Sequence, residues 1–334
     1  MRTSVRAAVA FAVAVVVSVV TASAAASAHS PGAPATGFRV ENGRLVEANG
    51  NDFVLRGVNH PHAWFPHELG ALSDIKALGA NAVRVVLSSG DRWTENTTDD
   101  VANVVAECRA NRLICVLEVH DTTGYGEDSA AAPLSRAVDY WIRVRQALAG
   151  QENHVLLNIG NEPFGNQGFE DWTGETITAI GRLRAAGFDH TLVADAPNWG
   201  QDHTHTMRDN AAEVFASDPA RDTVFSVHMY GVYDTAWRVR DYLTAFTRAG
   251  LPIMVGEFGH RHSDGDPDED AILATTRELG VGYLGWSWSG NSGGVDYLDL
   301  VHDFDPARLT GWGQRLFHGP DGIGETAEEA AVYR

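Results

Sequence analysis

His154-Val155-Leu156-Leu157-Asn158-Ile159-Gly160-Asn161-Glu162-Pro163 is an apolar run closed by a polar triplet. Such a run reads as a buried parallel strand that delivers a carboxylate to the rim of a barrel, where that architecture does its chemistry. Pro252-Ile253-Met254-Val255-Gly256-Glu257 repeats the pattern. The spacing between the two glutamates accommodates about three strand-plus-helix units at ~30 residues each.

Outward from these two stretches the alternation is regular. Strands are expected at Phe53 to Asn59, Ala82 to Leu87, Leu113 to His120, Val155 to Asn161, Thr191 to Ala196, Thr223 to Tyr230, Ile253 to Glu257 and Val281 to Trp288. Between them, Glu68 to Gly79, Thr98 to Asn111, Leu134 to Gly150, Asp171 to Gly187, Thr235 to Gly250 and Asp268 to Gly280 carry apolar residues at helical spacing, and several end at glycine. A last helix is expected over roughly Pro306 to His318. Eight strand-helix alternations predict a (β/α)8 barrel of the TIM type. The rival, an open doubly wound sheet, would often carry a glycine-rich phosphate loop after its first strand, and none is found there. Ahead of the barrel, residues 38–47 read as a β-hairpin turning at Asn42-Gly43, a piece able to plug the barrel floor.

Residues 1–28 combine Arg2 and Arg6, the apolar run Ala7 to Val20 and the small-residue site Ala26-Ser27-Ala28. This is the pattern of a secretory signal, too short in its apolar core to anchor a membrane. Residues 29–37, with Pro31, Gly32 and Pro34, read as a flexible leader, leaving 38–334 as the catalytic barrel. The expected product is secreted and extracellular, free of the membrane after signal removal, and monomeric. Its formal net charge of −19, more negative once Arg2 and Arg6 are gone, argues against nucleic acid as a partner and leaves neutral polymers open. Lys76 is the only lysine and falls in an amphipathic stretch, which disfavours Schiff-base chemistry.

Cys108 and Cys115 are the only cysteines. For an exported protein a short-loop disulfide is favoured over two buried thiols, although sequence does not fix the geometry. Asp264, Asp266, Asp268, Glu269 and Asp270 crowd the loop after Glu257. They read either as a solvated acidic loop at a helix start or as a structural calcium site centred on Asp268, Glu269 and Asp270.

The strand ends gather polar and aromatic groups: Arg84 near the end of the second, His120 of the third, Asn161 and Glu162 of the fourth, His228 and Tyr230 of the sixth, Glu257 of the seventh, Trp286 and Trp288 of the eighth. Each residue alone has a structural explanation; Trp286 and Trp288, two apart and so on one strand face, could be core packing. Together they suit retaining cleavage of a glycosidic bond, which needs one protonated and one ionised carboxyl group about 5–5.5 Å apart. Arg84 and Tyr230 are suited to keep Glu257 ionised, while Glu162, facing that charge and shielded by tryptophans, would hold a proton. Asn161 would bond the sugar 2-hydroxyl and Trp286 would stack on the pyranose.

The set Arg84, His120, Asn161-Glu162, His228, Tyr230, Glu257 and Trp286 resembles the active site of glycoside hydrolase family 5. Three runs are most similar to its bacterial endo-β-1,4-mannanases: Leu117 to Gly126, Val255 to Gly259 and Gly285 to Asn291. The resemblance extends from about Phe38 to the end of the chain. It implies internal cleavage of β-1,4-mannan in mannan, glucomannan and galactomannan, with Glu162 as acid/base, Glu257 as nucleophile and no cofactor required for the chemistry. Trp64, Trp93, Trp199 and Trp237 are candidates for sugar subsites, each equally open to a packing role. The alternatives are an endo-β-1,4-glucanase with the same machinery and a non-catalytic glycan-binding barrel.

Overall fold

The computed structural model describes Met1 and residues 37–334, so the signal and leader assignments lie outside the described residues except at Met1 and Gly37. The chain opens with a hairpin, β1 (Arg39–Glu41) and β2 (Arg44–Val46), in antiparallel register with Arg39 opposite Val46. Asn42 and Gly43 both take positive φ, 51° and 73°, the conformation a tight two-residue hairpin turn demands.

Barrel and helices then alternate: β3 (Arg56–His60), α1 (Ala71–Ala77), β4 (Ala82–Leu87), α2 (Thr98–Ala110), β5 (Ile114–Val119), α3 (Leu134–Leu148), β6 (Val155–Asn158) and α4 (Trp172–Ala185) form the first half. The second half comprises β7 (Leu192–Asp195), α5 (Thr206–Ser217), β8 (Thr223–Met229), α6 (Ala236–Ala249), β9 (Ile253–Phe258), α7 (Glu269–Leu279), β10 (Gly282–Gly285), α8 (Gly311–His318) and the short α9 (Ile323–Thr326). The strands β3 to β10 close into one parallel barrel in chain order, β10 pairing β3. All eight expected strands are present; the first begins at Arg56, three residues later than expected. Helix α5 was absent from the sequence reading, because only Met207, Ala211 and Val214 of its twelve residues are buried and its apolar stripe is thin.

Strand alternation sorts the side chains into two layers. Outward residues such as Val83, Val85, Cys115, Leu117, Leu157 and Phe225 pack against the helices in the main core. Inward residues Ala82, Ile114, Val116, Leu156, Val193, Val224, Met254 and Leu284 form an apolar floor with Phe38 and Leu45 of the hairpin. The hairpin thus joins the barrel's own bottom layer, as expected.

Above the floor the inward positions turn polar: Asn59 on β3, Arg84 on β4, Glu118 on β5, Asn158 on β6, Asp195 on β7, His228 on β8 and Glu257 on β9, all buried. Arg84 lies mid-strand rather than at the strand end. Phase is corrected once. Val227 pairs Val255 but His228 pairs Glu257, so Gly256 is an extra residue in β9. This bulge turns Glu257 inward beside His228 and sends Phe258 to the outer core.

Cys108 at the end of α2 and Cys115 on β5 are both buried, their sulfurs 2.8 Å apart. The expected proximity is met, yet the structure carries them as free thiols and holds no disulfide.

Candidate active site

The polar layer is organised by one buried cation. Arg84 donates to Glu257 Oε1 at 2.8 Å, Asn158 Oδ1 at 3.0 Å, Asn59 Oδ1 at 2.9 Å, Asn161 Oδ1 at 2.6 Å and Asp195 Oδ2 at 3.1 Å. Burial works to lower the pKa of the guanidinium, but Glu118, Asp195 and Glu257 surround it and raise it above the ordinary value. A planar fork with five donors can satisfy this many acceptors; a lysine could not.

Glu257 takes its second bond from the Tyr230 hydroxyl, at Oε2 and 3.0 Å. Burial pushes its carboxyl up from the ordinary range, His228 and Arg84 pull it down, and Glu162 adds to the rise. The sequence reading had weighed only the attraction of Arg84 and the Tyr230 bond.

Glu162 stands beyond the end of β6 with a left-handed backbone, φ 41°, an uncommon conformation for glutamate. Its Oε1 meets His228 Nδ1 at 2.7 Å, a contact with a histidine where tryptophan neighbours had been expected. One carboxylate oxygen of Glu162, one of Glu257 and a ring nitrogen of His228 all lie within 4.8 Å of one another. A separation this short is that of the retaining class; an inverting pair is about 6.5–9.5 Å apart, leaving room for water. His228 is fully buried, which opposes its charge, yet Glu257 and Asp195 lift its pKa to about 10.

Asn161 accepts from Arg84 at Oδ1 and donates one hydrogen of Nδ2 to Thr123 Oγ1 at 2.8 Å. His120, bonded through Nδ1 to Glu118 at 2.8 Å, stacks on Trp286 with centroids 5.6 Å apart at 24°. Trp64 and Trp93 complete this aromatic group, 5.1 and 5.7 Å from the same imidazole. Past Tyr230, His262 lies 4.5 Å from the phenol ring and bonds Asp264. Trp199 donates to Glu127 at 2.9 Å, and its indole lies so close to Gly124 that a Cβ there would come within 2.3 Å.

Two expectations are corrected. Strand β10 ends at Gly285, so strand alternation does not carry on to Trp286 and Trp288, which part company; the peptide between Trp286 and Ser287 is cis. Trp288 is fully buried in the main core with Phe317 at 6.3 Å, and its assignment to substrate binding is withdrawn. The calcium reading also fails on geometry: Asp268 caps α7 by accepting from Ala271 N, and Asp270 pairs with Arg315. Among the described residues, Asp268, Glu269 and Asp270 do not converge as a ligand set. The helix-start reading accounts for them. Trp237, exposed in the first turn of α6, forms no part of the aromatic group.

Glu118, Asp195, Asn59, Asn158 and His262 were not anticipated. For the first four the sequence signal was present, polar residues inside otherwise apolar strands at positions whose parity points inward; His262 lies in the loop after β9, where no such pattern applies.

The profile of the cellulase (glycosyl hydrolase family 5) domain matches residues 46–292. A mannan endo-1,4-beta-mannosidase of Streptomyces lividans is 61% identical over 90% of this chain and 79% of its own length. Another, from Cellvibrio japonicus, is 51% identical over 90% of this chain and 70% of its own. The solved structure of a beta-mannanase from Thermomonospora fusca superposes with a TM-score of 0.89 at 60% identity, covering 90% of this chain and all of that one.

Proposed function

The chain belongs to glycosyl hydrolase family 5, and from that premise we propose that it cleaves β-1,4-mannosidic linkages inside mannan, glucomannan and galactomannan by retaining double displacement. The observation that carries the reading is the close approach of Glu162 and Glu257 above the barrel floor, within 4.8 Å.

In the first step a Glu257 oxygen attacks the anomeric carbon, the bond to the leaving sugar breaks, and Glu162 gives its proton to the departing oxygen. In the second, water attacks the same carbon, Glu162 takes its proton, and Glu257 leaves. Arg84 and Tyr230 both donate to Glu257, and hydrogen bonds to the charged form favour the carboxylate that a nucleophile must present. As the ester forms, Arg84 and Tyr230 keep their bonds to the nucleophile. The second hydrogen of Asn161 Nδ2 serves the 2-hydroxyl, where contacts strengthen in the transition state. His120, stacked on Trp286, met edge-on by Trp64 and at a tilt by Trp93, walls one side of the cleft with them, and the group offers apolar faces to pyranose rings.

Two carboxyl groups and water suffice for this chemistry, and no cofactor is required. Residues 1–28 act as an export signal in this reading, which makes the enzyme extracellular and suits a disulfide between Cys108 and Cys115. The catalytic unit works as a monomer.

Product analysis on glucomannan beside carboxymethyl cellulose tests the proposal. Mixed manno-oligosaccharides with little release from cellulose are expected. Equal or greater release from cellulose would convert the assignment to a glucanase, and no release from either would reinstate the binding-protein alternative.

A further inference from the structure

The loops at the mouth divide into two halves. Trp286, Trp64, Trp93 and His120 follow β10, β3, β4 and β5, four neighbours around the barrel, and make the aromatic wall. Glu162 follows β6 and Glu257 lies on β9, with β7 and β8 between them. A sugar chain with its attacked sugar against Trp286 therefore passes between the two carboxyl groups and lays its leaving end over the loops that follow β7, β8 and β9. We propose that His262, in the last of these loops, binds the leaving sugar through Nε2 and later holds an incoming acceptor sugar in the same place. This rests on the mannosidase reading above and extends it to the leaving-group side.

The three loops are tied together around that imidazole. Asp264 accepts from Gln201 Nε2 of the loop after β7 at 2.7 Å and from the Gly231 backbone N–H of the loop after β8 at 3.2 Å, and it pairs with His262 Nδ1 within its own loop. Gln201 is braced in turn, its Oε1 accepting from Val232 N at 3.1 Å and its carbonyl from the Tyr233 hydroxyl at 2.9 Å. A Cβ on Gly231 would come within 2.6 Å of the Asp264 backbone, so the loops after β8 and β9 meet this closely because a glycine stands there.

The ring is fixed on two sides and free on a third. Its face lies on Tyr230, centroids 4.5 Å apart and planes at 31°, and Tyr230 donates to Glu257. Nδ1 is occupied by Asp264. Nε2, across the ring, points away from Asp264 and is bonded to no group among the described residues. The side chain is 28% exposed, so it is held in one orientation yet open to a ligand. Burial lowers its pKa, but Asp264, Glu162 and Glu257 together raise it above the ordinary value. Both carboxyl groups that flank the scissile bond thus act on the ring, which sets it near that bond and favours a proton on Nε2.

A charged N–H donor bonds a sugar hydroxyl more strongly than a neutral one. On the leaving side that bond orients the departing sugar beside the acid/base. In chain transfer the same place receives an acceptor: its hydroxyl oxygen attacks the anomeric carbon of the glycosyl-enzyme, its proton passes to Glu162, and the bond to Glu257 breaks. An acceptor held by His262 gains over water, which needs no such contact. One position thus governs both the preference for a sugar leaving group and the share of the intermediate that goes to transfer. A mere prop under Tyr230 would govern neither, because Tyr230 acts on Glu257 and so on every substrate alike.

His262→Phe tests this, since it keeps an aromatic ring on Tyr230 and removes the Nε2–H. Its kcat/KM on mannotetraose, divided by that on 2,4-dinitrophenyl β-mannobioside, should fall about tenfold below the wild-type ratio, the worth of one hydrogen bond from a charged group. With the aryl glycoside as donor and mannobiose as acceptor, the ratio of transfer product to hydrolysis product should fall by a similar factor. Each ratio is taken within one enzyme, so a displaced Tyr230 or a less stable fold cancels from it. Ratios equal to those of wild type would overturn the proposal and leave His262 a support for Tyr230. A wild-type enzyme that releases nothing from mannan would instead remove the mannosidase reading, and the proposal with it.

Discussion

Arg84, halfway along β4, reaches Glu257 on the far side of the barrel through a 2.8 Å bond from Nη1. Both groups are buried, and the same guanidinium binds three asparagines and Asp195. Arg84→Lys keeps the charge but cannot serve five acceptors. Removing one partner of a buried charged network costs about 3–5 kcal/mol, so a lowered melting temperature is expected together with a loss of kcat of at least about 100-fold. Thermal unfolding and steady-state kinetics on mannan check both; a lysine variant within threefold of wild type would mean that the network is dispensable.

Gly256 forms the bulge that aims Glu257. A Cβ at this position would lie 2.2 Å from Ser226 Oγ and 3.2 Å from His228 Nε2. Gly256→Ala should therefore fold with a displaced Glu257 and lose most of its turnover. Adding Ser226→Ala removes the closest atom and should restore part of the activity, a non-additivity that a double-mutant cycle measures directly.

Trp286 and Trp288 should behave oppositely. Trp288→Ala opens a large cavity in the main core and should cost about 3–5 kcal/mol, whereas Trp288→Phe, losing an indole nitrogen that bonds nothing among the described residues, should be far milder. Trp286→Ala should mainly raise KM for mannan with a smaller shift in melting temperature. Differential scanning calorimetry beside kinetics separates the two.

His228 makes folding stability depend on alkali. Its pKa is raised from the ordinary 6.5 to about 10, with Glu257 and Asp195 overcoming burial. A group raised in the folded state contributes fully below its unfolded pKa and loses that contribution as pH rises through the folded one. Stability to urea should therefore decline between about pH 6.5 and 10, and His228→Asn should flatten that slope. An unchanged slope in the variant would place the effect elsewhere.

The Cys108–Cys115 pair gives a direct measurement of mass. Protein exported under oxidising conditions should be two daltons lighter than its reduced form and resist thiol reagents after unfolding. By loop-closure entropy so short a ring adds about 2–3 kcal/mol, which should be lost on reduction.

The barrel was legible because its strands are buried on both faces and read as eight continuous apolar runs. The two carboxylates proposed as catalytic, Glu162 and Glu257, were legible because each closes such a run. Asp195 and Glu118 were overlooked although both sit inside runs already taken as strands; a carboxylate within an apolar strand is costly unless partnered, and that cost was the available signal. The bulge at Gly256 was invisible, since a one-residue change of phase appears only when the pairing with β8 is known. Trp288 was misplaced for a related reason: period-two alternation was carried past Gly285, where β10 ends. The pairing of Glu162 with His228 joins β6 to β8, and no local pattern reports a contact between strands so far apart in sequence.

The apolar floor sealed by Phe38 and Leu45 makes the barrel a cup with a single mouth. Water that releases the glycosyl-enzyme must come in through the opening by which the departing oligosaccharide goes out. Hydrolysis is thus gated by evacuation: while the leaving chain lingers it can recapture the sugar, and another chain arriving first competes with water for the same ester. The partition between hydrolysis and chain transfer is accordingly a property of traffic at the mouth, adjustable by residues that never touch the reacting carbon.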